Sequence, residues 1–179
     1  MTRVLRPLVA VFIVSLSSTA FAQESKSAAL AKQLAAALDA AKLDSIAAKD
    51  PAAPDIFCAA LYFPNSQLLV VSAKYTVPQL LTDRLNKKEY RDTYIDLNSA
   101  SVPSTKVFIQ DAAADGLKAK ITENQPFDQY EEGGKPIAFD GDWKKQKMSE
   151  QDYMKAFANA DDKYSQILAA LIAQLKKTS

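Results

Sequence analysis

Three candidate strands follow one another between residues 45 and 74, joined by two short turns. Residues 45–49 end at Asp50-Pro51, and Pro51 with Pro54 marks the first turn. Residues 56–63 form the second candidate. Pro64-Asn65-Ser66 makes the next turn, and residues 67–74 (QLLVVSAK) are rich in apolar and β-branched side chains. A parallel pair needs a crossover of about a dozen residues or more, so these turns point to antiparallel neighbours. The chain is predicted to be built on an antiparallel meander that helices must cover.

Two helices frame it. Residues 25–42 carry Leu30, Leu34, Leu38 and Ala41 on one stripe. In residues 149–177, Tyr153, Phe157, Tyr164, Ile167, Leu168, Leu171, Ile172 and Leu175 keep helical spacing. Ser149 and Asp152 imitate a capping box, and Lys176 and Lys177 suit the negative end of the helix dipole. A middle helix is expected from Pro78, with Leu80, Leu81, Leu85 and Tyr90 on its apolar side. Residues 93–97 and 106–110 read as a fourth and fifth strand, and 112–116 as a turn. Residues 123–147 hold Pro126, Gly133-Gly134, Pro136, Gly141 and the aromatics Phe127, Tyr130, Phe139 and Trp143. A hairpin over one end of the core is preferred there to a lid.

The N-terminus reads as an export signal. Arg3 and Arg6 precede the apolar run LVAVFIVSL, and Ala20-Phe21-Ala22 fits a cleavage site before Gln23. Residues 1–22 are therefore expected to be removed, leaving 23–179 as one domain. The expected location is periplasmic or secreted, with no integral membrane segment after signal removal. In that oxidising space Cys58 has no partner within the chain. It sits in IFCAALYF and reads as a buried small hydrophobe.

Composition then removes function classes. The chain has no His, so imidazole-based catalysis and His-ligated metals are excluded. One Cys excludes a disulfide framework, a Cys-cluster metal site and a CxxC redox pair. The four Gly form no phosphate-binding fingerprint. The balance of 22 basic and 21 acidic residues gives no electrostatic case for nucleic acid.

The segments SIAAKDPAAPDIFCAALYF, QLLVVSAKYTVPQLL, YIDL and KVFIQDAAADGL follow in order across 44–117. In that order and apolar pattern the chain resembles the FMN-binding split barrel of the pyridoxamine-phosphate-oxidase-like proteins. The resemblance covers about half of the mature chain and rests on element order rather than on an invariant motif. It implies an α+β domain with a small antiparallel split-barrel-like sheet and flanking N-terminal, middle and C-terminal helices. It also implies a homodimer that binds FMN, or sometimes haem or deazaflavin, at the dimer interface. In that family basic and hydroxyl groups near the third strand hold the cofactor phosphate. The corresponding corner offers Ser72, Lys74, Tyr75 and Thr76, of which Ser72, Lys74 and Thr76 are the expected cofactor-binding residues. The corner has no Arg, the nearest being Arg84 on the expected middle helix.

Other motifs have plainer readings. Ser72-Ala73-Lys74 and Ser104-Thr105-Lys106 share the S-x-K spacing of a Ser–Lys pair, but a polar strand face or turn explains them as well. Asp140-Gly141-Asp142, and Asp111 with Asp115-Gly116, offer oxygens to Ca²⁺ without completing a binding loop; Asx turns are preferred, and no metal site is expected. Lys144, Lys145 and Lys147 around Trp143 read as a solvated basic stretch. The sequence supports an exported binding or accessory module for a small-molecule ligand. The alternatives are an FMN-dependent oxidoreductase and a cofactor-free structural or interaction protein.

Overall fold

Along a strand successive side chains point to opposite faces, so burial alternates where one face is covered. The third strand shows this directly: Leu68, Val70 and Ser72 are buried, while Leu69 between them is exposed. The computed structural model describes residues 25–50, 53–75, 90–98, 106–121 and 126–178. Its elements are α1 (Lys26–Ala41), β1 (Ser45–Asp50), β2 (Ala53–Phe63), β3 (Leu68–Tyr75), β4 (Tyr90–Asn98), β5 (Lys106–Asp111), β6 (Asp128–Glu132), β7 (Lys135–Phe139) and α2 (Glu150–Thr178). The fold is α+β, with the N- and C-terminal helices expected from the apolar stripes.

The strands form one seven-stranded sheet in the order of the chain, each antiparallel to its neighbour. The predicted meander is therefore present and longer than the sequence indicated. Gly133 and Gly134, at φ 59° and 75°, form the two-residue β6–β7 turn, so the stretch preferred as a hairpin is one. Positive φ at both positions is what such a turn requires, and only glycine takes it without strain.

The split-barrel expectation is corrected here: the sheet is open. β1 pairs with β2 and β7 with β6, leaving these two strands at opposite edges. Closure would need β1 and β7 to meet. β7 carries Pro136, which has no N–H for a further ladder, and β1 runs in irregular register against β2. Helices cover the apolar face, so the sheet does not have to curl to hide it. The expected middle helix lies outside the described residues, except that Tyr90, placed at its end, instead opens β4. Residues 117–121 form no regular element.

One core joins the helices to the sheet. Leu34 and Leu38 of α1 and Tyr153, Tyr164, Leu168 and Leu171 of α2 pack with Val70, Ile95, Ile109 and Phe139. Phe139 meets Tyr153 and Phe157 edge-on, at centroid separations of 5.7 and 5.3 Å, the arrangement aromatic quadrupoles favour. The α2 start is capped as expected: Ser149 Oγ accepts from Asp152 N–H at 3.0 Å. The α1 start is capped from a distance. Asp161 of α2 accepts from Lys26 N–H at 2.7 Å, Ser27 N–H at 3.0 Å and Ser27 Oγ at 2.6 Å. A carboxylate there satisfies orphan amides and complements the helix dipole.

Candidate functional site

Three groups of polar side chains lie on the central strands. The first is the corner where Ser72, Lys74 and Thr76 were expected to hold a phosphate. Thr76 lies outside the described residues. Ser72 and Lys74 do face the same side, as their spacing requires, but that side is the one under α1. Ser72 is wholly buried, and its hydroxyl accepts from Arg91 Nη1 at 2.8 Å. Lys74 Nζ lies 3.4 Å from Asp39 on α1. Arg91, opposite Lys74 on β4, also donates to Asp39 at 2.9 Å and to both oxygens of Asp44 at 3.1 and 2.6 Å. Two cations thus meet two carboxylates. A phosphate at this corner would have to displace Asp39 and Asp44, so its donors are already engaged. Burial works against the Arg91 charge, but Asp44 and then Asp39 outweigh it and hold the guanidinium above its ordinary range. The sequence reading missed Arg91 because its partners lie on α1 and on the link after it.

The second group lies on the same face, one row along: Ser72 pairs with Thr93, and Thr93 with Asp111. Asp111 and Asp128 are both buried. Asp111 accepts from Asp115 N–H at 3.2 Å, Gly116 N–H at 3.0 Å and Tyr164 Oη at 2.8 Å. Asp128 accepts from Ala112 N–H at 2.9 Å and Lys118 N–H at 2.7 Å. Burial pushes Asp111 up to about 7 and Asp128 up to about 8, the latter raised further by the charge of Asp111. Asp111 bonds amides four and five residues on, so it grips the loop without making the Asx turn expected of it. Asp140 does make one, accepting from Asp142 N–H at 2.9 Å, and Asp142 accepts from Lys145 N–H at 3.0 Å.

The third group is on the opposite face of the sheet, which neither described helix covers. Register places Tyr62, Leu69, Asp96, Phe108 and Glu131 side by side across β2–β6. The next row is Ala60, Val71, Tyr94, Gln110 and Gln129. Tyr62 is 62% exposed and Leu69 36%. Tyr94 and Phe108 are half-buried, with ring centroids 6.5 Å apart. Asp92 anchors this surface, accepting from Tyr94 Oη at 3.2 Å and Ala113 N–H at 3.2 Å. Burial and then the Asp92 charge push the Tyr94 phenol up, so it stays a neutral donor. Cys58 is half-buried on this same face, and burial pushes its thiol up, which disfavours the reactive thiolate. The alternation of YRDTYIDLN was the signal in the sequence for this face, because it puts Asp92, Tyr94 and Asp96 on one side.

Comparison with known proteins finds no matching family model, no matching curated protein and no matching solved structure. Among the described residues, no helix is long and apolar enough to cross a membrane.

Proposed function

We propose that the chain is an exported binding module, that its working surface is the uncovered face of the sheet, and that its partner is an apolar polypeptide segment bearing positive charge. The observation that carries this is the mixed row Tyr62, Leu69, Asp96, Phe108 and Glu131, with Tyr94 beside it. Aromatic side chains that offer apolar area with a polar tip are the usual anchors of recognition surfaces. Across β3–β6 the acids of this face are Asp92, Asp96 and Glu131, and Lys106 at its rim is the single base there among the described residues. That balance favours a cationic partner and disfavours anionic headgroups or nucleic acid. An open sheet face lacks the concavity that buries most of a small ligand, which favours an extended segment. The export part of the reading rests on Arg3, Arg6 and the apolar run LVAVFIVSL before Ala20-Phe21-Ala22.

The test is a titration of the mature protein, followed by amide NMR, with a short peptide alternating Leu and Lys. A Leu–Glu peptide and FMN serve as comparisons. The expected result is shifts confined to β2–β6, lost with the Leu–Glu peptide. Tyr94→Ala or Phe108→Ala is expected to weaken binding about tenfold or more. Shifts centred on Ser72 and Lys74 with FMN, or no response to the Leu–Lys peptide, would overturn the reading.

A further inference from the structure

The 112–118 loop is held almost entirely by acceptors from elsewhere. Asp128 takes the amides of Ala112 and Lys118, Asp92 that of Ala113, Asp111 those of Asp115 and Gly116, and Ser27 Oγ that of Leu117 at 3.0 Å. The backbone is strained at Ala113 and Ala114, with φ of 76° and 47°. Gly116, at φ 91°, takes a conformation open to glycine. A Cβ on Gly116 would lie 2.4 Å from the Ala28 backbone, so the loop is pressed against α1. Such a conformation persists only while its surroundings hold it.

Of the three acidic holders, Asp111 and Asp128 are bonded to no cation among the described residues. Around them stand Thr93 and Asp92 on β4, Asp115 and Lys118 on the loop and Ser27 on α1. Phe139 on β7 is paired with Asp128, and α2 contributes Tyr153, Asp161 and Tyr164. Lys118, the nearby base, directs its ammonium to Asp115 at 2.6 Å. Asp161 is occupied at the α1 N-terminus. Removing two like charges from water together is costly, and amide dipoles compensate only in part.

We propose that at least one of Asp111 and Asp128 stays protonated at neutral pH, and that this proton latches the 112–118 loop in its strained conformation. The proton comes from and returns to water. Its loss leaves two adjacent buried carboxylates, and opening the loop lets water reach them. The upward displacement of both carboxyls, caused first by burial, agrees with this placement. The latch stands independently of the partner proposed above. Through Ala113 and Asp92 it also reaches the uncovered face.

Carboxyl ¹³C NMR of the mature protein tests where the proton is, and amide exchange at Ala112, Gly116 and Lys118 tests what it does. Asp111 and Asp128 are expected to titrate together near neutrality. Amide protection, corrected for the intrinsic exchange rate, is expected to fall about tenfold or more over the same interval. In Asp111→Asn the midpoint of Asp128 is expected to fall, because its neighbour no longer repels it. Two outcomes would overturn the proposal: ordinary low midpoints for both acids, or high midpoints with unchanged protection. The wild-type measurements decide the matter even where the variant does not fold.

Discussion

Arg91 and Asp111 enter the helix-covered face of the sheet in neighbouring rows, and the two rows handle buried charge differently. Around Arg91 each charge has an opposite partner: Asp44 and Asp39 for the guanidinium, Asp39 for Lys74. Around Asp111 two acids lie together, compensated by backbone amides and one phenol. Burial opposes ionisation in both. At Arg91 the partners overcome it and keep the guanidinium charged; in the second row burial wins and keeps a proton on. Arg91 should therefore be indifferent to pH near neutrality, and the second row should respond to it.

The largest effect is expected from breaking the paired row. Arg91→Ala leaves Asp44 and Ser72 without their buried donor and should cost about 3–5 kcal/mol, read from urea unfolding. A cost below about 1 kcal/mol would mean that the pairing does not hold this corner. Next, Tyr164→Phe removes the one side-chain donor to Asp111 among the described residues. It should cost about 1.5–3 kcal/mol above pH 8, where the acceptor is charged, and less at pH 5. Equal costs at the two pH values would argue that Asp111 does not change charge between them.

The pH response itself sharpens the contrast. Folded-state values of about 7 and about 8 lie above the ordinary 3.8. Stability from this pair is thus fully present below the ordinary value and is lost as pH rises through 7 and 8. Thermal melts should show Tm falling by roughly 5 °C or more between pH 5 and pH 9. That slope should persist in a Lys74→Ala variant and flatten in Asp128→Asn. The smallest effect is Lys74→Ala itself. Its pair with half-exposed Asp39 at 3.4 Å is worth less than about 1 kcal/mol and weakens with added salt.

Much of the architecture was legible because it follows from local rules. The 64–66 turn, the alternation of β3 and the stripe of α2 each report their own neighbourhood. Barrel closure was not legible. It depends on whether the two edge strands meet, and Pro136 speaks only against pairing beyond β7, not about where β1 lies. The site was half legible. That Ser72 and Lys74 share a side follows from a period of two, but which side the helices cover does not. Asp111 was noticed as a turn residue, whereas Asp128 gave no sign, since its role depends on amides ten and sixteen residues away.

The sequence alone determined that short turns force an antiparallel meander, that apolar stripes make helices at both ends, and that the lack of His removes imidazole chemistry. Tertiary structure decided the rest, because electrostatics depends on distance in space and not along the chain. Asp39 and Asp44 neutralise the corner expected to bind phosphate, Asp111 and Asp128 are buried side by side, and the acids and aromatics of β2–β6 share the face that α1 and α2 leave uncovered.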